Sequence, residues 1–271
     1  MSDENKGAPM STASEAMVLL STEDGIATLT LNRPQARNAL SVAMMTEIEA
    51  ALDRLAGDAS VKVVVLAANG PAFCAGHDIK EMRSLQGREP VAAVFAQCSR
   101  MMKAIVRFPR PVIARVHAMA TAAGCQIVAS CDLAVAADNA QFATPGVNIG
   151  LFCSTPMVAL SRNVGRKQAM EMLLTGHAVD AATAAAWGLI NRAVPAEKLD
   201  ETVDGFARLI ASKSPHTLKV GKKAFYAQVE MGLDDAYDYA AQVMTENMLA
   251  RDAAEGIDAF LGKRHPVWQG C

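Results

Sequence analysis

From residue 26 to residue 137 the chain repeats one local pattern: a short apolar run, a turn of small residues, then a stretch with helical spacing. The runs are Ile26 to Leu31, Val61 to Ala67, Pro111 to Val116 and Leu133 to Ala137. Rich in β-branched and aliphatic residues and bounded by turn formers, they read as strands. Met17 to Leu20 reads as one more, turned back through Glu23-Asp24-Gly25. Ser41 is placed to N-cap a helix through Leu55, because Ala43, Met44, Ile48, Ala51, Leu52 and Leu55 fall near one face. A second long helix is expected over Pro90 to Val106, and from Lys198 onward nearly everything has helical spacing. Periodicity therefore gives α/β or α+β with a helical C-terminal third, without fixing topology. The expected divisions are a polar, disordered tail over 1–16, a core over 17–203 and a helical region over 204–271.

Two of the turns carry chemistry. Ala75-Gly76-His77-Asp78-Ile79 and Ala122-Ala123-Gly124-Cys125-Gln126 are small-residue turns with backbone N–H groups to spare, and the second runs into the apolar segment Ile127 to Ser130. Facing one another, they aim two N–H donors at one oxygen, an arrangement that stabilises a carbonyl becoming negative during reaction. Taken alone, Ala122-Ala123-Gly124 reads as close helix–strand packing. Taken with the first turn, it reads as a donor.

Composition excludes several alternatives. The 271 residues, 51% of them apolar, suit one large domain or a domain with an appendage. A net charge of −2 gives no basic field for nucleic acid, and no apolar run reaches the roughly 18 residues of a membrane span. The six cysteines contain no CxxC pair and read as reduced, mostly buried thiols, which favours a reducing compartment; the cytoplasm is expected. The acidic start has no apolar segment of a secretory signal and no Arg-rich transit character. The histidines show no HxxxH or HxH spacing, so no metal site is expected.

Leu31-Asn32-Arg33-Pro34, Asn38-Ala39-Leu40, Phe73-Cys74-Ala75-Gly76-His77-Asp78-Ile79, Gly124-Cys125, Cys131-Asp132-Leu133 and Phe142-Ala143-Thr144-Pro145 together resemble the crotonase superfamily, the enoyl-CoA hydratases and isomerases. The likeness runs from about residue 17 to residue 265, and is greatest to the enoyl-CoA hydratase domain-containing subgroup. It implies an α/β fold, a spiral of ββα turns with a C-terminal helical trimerisation region. It also implies a trimer, or a hexamer of two trimers, acting on acyl-CoA thioesters in fatty acid metabolism. No separate cofactor is implied, since coenzyme A arrives as part of the substrate. The backbone donors fall on His77 and Ala123. The resemblance lays the adenine along Gln35-Ala36-Arg37 and Ala75 to Ile79, Asp78 included, and puts Lys80 near the phosphates. Phe260 and Lys263 match C-terminal positions that often meet the ligand of a neighbouring subunit.

Hydratases of this family also use two glutamates, and those positions here are Gln126 and Gly146. A carboxamide cannot hold a proton as a general base, and glycine offers nothing. Each acid–base group typically contributes about 10²–10⁴-fold, so weak or absent hydration is expected. No acid stands in Leu151 to Pro156 to replace them. Cys153 and Ser154 lack an evident histidine base and read as pocket wall, and Cys125 reads as packing under its turn. His77 acts through its N–H without needing the imidazole, and Asp78 and Asp132 read as turn or strand-end residues. Val94 to Val106, with Met101 and Met102, reads as core, with an adaptable acyl pocket as the alternative. Two other functions stay open: a different acyl-CoA reaction (hydrolysis, decarboxylation or isomerisation), and a non-catalytic acyl-CoA-binding or interaction protein.

Overall fold

The computed structural model describes residues 16–271, so residues 1–15 of the expected tail lie outside the described residues. The elements run β1 (Val18–Glu23), β2 (Ile26–Leu31), α1 (Val42–Gly57), β3 (Val63–Ala68), α2 (Ile79–Ser84), α3 (Arg88–Val106), β4 (Val112–Val116), β5 (Ala120–Thr121), α4 (Ala123–Ser130), β6 (Leu133–Ala137) and β7 (Gln141–Ala143). They continue with α5 (Pro156–Leu160), α6 (Arg166–Thr175), β8 (Val179–Asp180), α7 (Ala181–Trp187), β9 (Arg192–Val194), α8 (Leu199–Ala211), α9 (Pro215–Gln228), α10 (Leu233–Met248) and α11 (Arg251–Leu261).

Six strands form one sheet in the order β1-β2-β3-β4-β6-β9. Only β1 and β2 are antiparallel; the remaining pairs are parallel. Asp24 and Gly25 both take positive φ, 51° and 79°, which is what a tight hairpin between right-twisted strands requires. All six residues of β3 are buried, as expected of a parallel strand covered on both faces. On one face lies the main core, filled by Leu29, Leu31, Met44, Ile48, Leu66 and Met101. The other face carries Val63, Val65, Ile113 and Val135 under Leu199, Val203 and Ala207 of α8. The 203/204 division drawn from sequence falls inside α8. Since that helix buries its apolar stripe on the sheet, it goes with the core layer, and the helical extension begins after Ala211.

Ser41 caps α1 as expected, its Oγ accepting from Met44 N–H at 3.1 Å. Ser41→Ala is expected to cost about 1 kcal/mol in denaturant unfolding. The second sheet, β5-β7-β8, was not legible. Its strands are two or three residues long, too short for any period to register.

The helical extension differs from the core. α9 and α10 have no buried residue, and α11 has only Asp252 and Ala259. A buried cation ties the extension to the core. Lys222 Nζ on α9 donates to Asp132 Oδ2 at 2.6 Å, to Arg110 O at 3.0 Å and to Ile105 O at 3.4 Å. Asp132 also accepts from Val112 N–H at 2.7 Å and from Tyr226 OH at 3.0 Å. Burial pushes the Asp132 carboxyl up and the Lys222 ammonium down, each partly offset by its partner.

Candidate active site

The first turn is built by backbone exchange. Asn38, fully buried at φ 54°, donates through Nδ2 to Asn69 O and Ala72 O and accepts Arg33 N–H, so the 33–40 loop is clamped to the 69–72 loop. Ala75 N–H donates to Arg37 O at 3.0 Å, setting Ala36 and Arg37 beside Ala75. Leu40 then donates to Gly76 O at 2.7 Å and accepts from Asp78 N–H at 3.0 Å. This parallel bridge uses the groups flanking His77, so the N–H of His77 points to the opposite side.

The second turn meets it there. Thr121 N–H donates to Cys74 O and Ala122 N–H to Ala143 O, which holds Ala122 at φ 50°, a region alanine rarely adopts. α4 starts at once with Ala123, and its first N–H groups have no intrahelical partner. Neither His77 N–H nor Ala123 N–H donates to a protein oxygen among the described residues. Contact between the turns depends on missing side chains. A Cβ on Gly76 (φ 86°) would lie 2.9 Å from Ala122 Cβ and 3.4 Å from Ala123 N, and one on Gly124 would lie 2.2 Å from Cys74 O. Glycine at 76 and 124 is thus what lets the two donors stand side by side.

The remaining residues fall in two groups. Asp78 accepts from Arg33 Nη1 at 2.8 Å and caps α2 through Lys80 and Glu81 N–H; the Arg33 hydrogen bond leads in holding its carboxyl below the usual range. Its side chain is thus occupied, while those of Ile79 and Lys80 are exposed beside it. His77 sets its ring edge-on to Phe95 at 5.5 Å, and burial lowers its pKa, favouring neutral imidazole. Gln126 is 5% exposed and its Oε1 has no partner. Phe260 and Lys263 stand apart from this group, at the end of α11. Phe260 lines a cleft of 570 Å³ with Leu218, Met248 and Trp268, among α9–α11. Sequence reasoning gave no role to the Arg33–Asp78 pair or the Asn38 clamp. Asn38 is a polar residue within a recognisable motif, and that was the available signal.

Gly146 is close-packed. A Cβ there would lie 2.7 Å from Leu151 O and 2.9 Å from Cys153 Sγ, so the space a glutamate stem needs is filled. Gly146→Glu is expected to destabilise by about 1–3 kcal/mol and to restore no hydration, as read by denaturant unfolding and a crotonyl-CoA assay. Burial pushes the thiols of Cys74 and Cys125 to about 12 and raises that of Cys153, so none of them is a thiolate nucleophile at neutral pH.

Known proteins resemble this chain in sequence and fold. The sequence model of the Enoyl-CoA hydratase/isomerase family matches residues 21–271. Enoyl-CoA hydratase domain-containing protein 3, mitochondrial, is 49% identical in human over 90% of this chain and 81% of the relative, and 48% identical in rat over 91% and 82%. A crystal structure of a Mycobacterium smegmatis enoyl-CoA hydratase superposes with a TM-score of 0.92 at 53% identity, covering 94% of this chain and 99% of the other. The mitochondrial relatives overturn the cytoplasmic expectation: free thiols report a reducing compartment, not which one. With the fold and nearly its whole length matched, the chain belongs to the enoyl-CoA hydratase/isomerase family, on the crotonase fold.

Proposed function

We propose that this chain binds an acyl-CoA thioester, polarises its carbonyl between the N–H groups of His77 and Ala123, and hydrates enoyl-CoA poorly. The observation that carries this is the close approach of the two turns, with both donors free. Charge developing on the thioester oxygen is stabilised by both donors and by the positive end of α4. One such donor is worth about 3 kcal/mol in a comparable acyl-transfer site. Poor hydration follows from the carboxamide at Gln126 and the filled space at Gly146. Such a site suits acyl-CoA reactions in which the substrate or a bound water moves the proton.

The adenine end has a ready cradle where Ala36, Arg37 and Ala75 lie side by side, with Asp78 and Ile79 following and Lys80 placed for a phosphate. Phe260 and Lys263 reach this end from a neighbouring chain. That assignment is supported by the unpartnered apolar side chains of α9–α11, with Phe225 58%, Leu233 74% and Phe260 81% exposed. A trimer is the assembly proposed.

The test is calorimetry with acyl-CoAs beside a crotonyl-CoA hydration assay. Binding is expected, with hydration near the uncatalysed background; turnover at the level of ordinary hydratases contradicts the proposal. Light scattering is expected to give a mass of three chains or a multiple of three.

A further inference from the structure

Arg115 is the one side chain of β4 that is not buried. Side chains alternate along a strand, so it shares with Ile113 the sheet face on which α8 lies. α8 leaves part of that face open. Thr28 and Thr30 of β2, Ala67 of β3 and Arg115 border a groove of 430 Å³, walled on its other side by Asp200, Val203 and Asp204 of α8. The volume lies within the ~300–1,000 Å³ typical of small-molecule sites. Thr30 pairs with Ala67 in the sheet, and one step beyond the last β3–β4 pair, Leu66 with Ala114, Ala67 stands beside Arg115. Thr30 and Arg115 are thus about 10 Å apart, two strand spacings, with only a methyl group between them. The donor turns are elsewhere: Cys74 and Ala123 belong to the core on the opposite face.

The groove holds a guanidinium that is only partly used. Arg115 Nε pairs with Asp200, a carboxylate 78% exposed, and neither Nη1 nor Nη2 donates to a protein acceptor among the described residues. Those two nitrogens form a planar fork that fits the two oxygens of a carboxylate. Thr28 and Thr30 add hydroxyls on the facing side. Charge sets a limit on the ligand. Asp200 and Asp204 both border the groove, and Asp204 is already paired with Arg208 Nε at 2.7 Å. With two carboxylates beside one free fork, a dianion is repelled more than a monoanion. Ala67, Val203 and Ala207 supply apolar surface for a short hydrocarbon body.

We propose that this groove binds a small aliphatic monocarboxylate, its two oxygens on Arg115 Nη1 and Nη2 and its hydrocarbon part against Ala67, Val203 and Ala207. The site is separate from the acyl-CoA site and does not depend on that reading. Its ligands rank by chemistry: a monocarboxylate first, inorganic phosphate second, the uncharged amide of the same shape last.

The test is NMR titration of the full chain with isotope-labelled butyrate, butyramide and inorganic phosphate. Butyrate is expected to bind with a Kd of about 1 mM, the strength open to so small a ligand. Butyramide is expected to bind at least about tenfold more weakly, because the charge-assisted pair is lost. Arg115→Lys keeps the charge but not the fork and is expected to weaken butyrate at least about fivefold. Ala67→Leu fills the groove and is expected to abolish binding with Arg115 intact. Saturating butyryl-CoA is expected to leave butyrate bound. Absence of butyrate binding in the parent chain overturns the proposal, as does equal binding of butyrate and butyramide, or of butyrate to the parent and to Arg115→Lys. Displacement of butyrate by butyryl-CoA puts the acid in the acyl-CoA site and overturns it too. Phosphate bound more tightly than butyrate overturns the monocarboxylate assignment. Should one variant not fold, the other variant and the parent ranking decide.

Discussion

Gly124→Ala is expected to lower stability by about 3 kcal/mol and to abolish acyl-CoA binding. The added methyl would sit 2.2 Å from Cys74 O and 2.8 Å from the Cys74 carbonyl carbon. Those are backbone atoms, so relief requires α4 to move away from the 73–77 segment rather than a side chain to rotate. Overpacking a well-filled interior typically costs 1–3 kcal/mol, and an obstruction by fixed backbone belongs at the top of that range, about 3 kcal/mol. For a chain of this size that is a fall in Tm of roughly 6–12 °C. The same displacement separates His77 N–H from Ala123 N–H, so binding goes with it. Gly205→Ala is the control: inside α8, with nothing within 4 Å of the new methyl, it is expected to stabilise by about 0.5–1 kcal/mol. Thermal unfolding of the two variants side by side checks this, and a Gly124→Ala protein as stable as its parent contradicts it.

Lys222→Met is expected to cost about 3–5 kcal/mol, because it breaks a buried pair from one side. Lys222 and Asp132 side chains are only 9% and 17% exposed. Without the ammonium, Asp132 keeps a carboxylate in a poorly solvated place, and the carbonyls of Ile105 and Arg110 lose a donor. The effect has a pH signature. Burial already raises the Asp132 carboxyl in the folded chain, despite Lys222. A raised folded pKa gives stability that is fully present below the unfolded pKa and is lost as pH rises through the folded one. Removing Lys222 raises it further. The deficit of the variant is therefore expected to be smaller near pH 5 than near pH 8, as urea unfolding at the two values reads directly. A deficit below about 1 kcal/mol, or one that grows toward acid pH, contradicts the account. Because this pair anchors α9, loss of the proposed trimer is expected to accompany it.

These two positions show what was legible in the sequence. Gly124 sits in a run of small residues that opens a helix, and its chemistry could be argued before any coordinate was known. The strands were legible too, β3 as a continuous apolar run and β4 as one broken only at Arg115, but their parallel pairing was not. Nor was the Lys222–Asp132 pair, because the partners lie 90 residues apart and each alone reads as an ordinary charge. Gly146 was legible only as a missing acid. That its space is filled by Leu151 O and Cys153 Sγ depends on how the 145–153 loop folds back, which no period or motif encodes. Phe260 and Lys263 were read, by resemblance, as C-terminal positions that often meet the ligand of a neighbouring subunit. Their place at the end of α11, away from His77 within one chain, follows from packing among three helices with almost no core of their own.

The claim on which the rest depends is that two backbone N–H groups meet at one thioester oxygen. Isotope-edited infrared spectroscopy of a bound acyl-CoA carrying a labelled thioester carbonyl measures this most directly. The carbonyl stretch is expected at lower frequency in the complex than in free acyl-CoA, because both donors withdraw electron density from the oxygen. A thioester that binds with its carbonyl stretch unshifted would contradict the account.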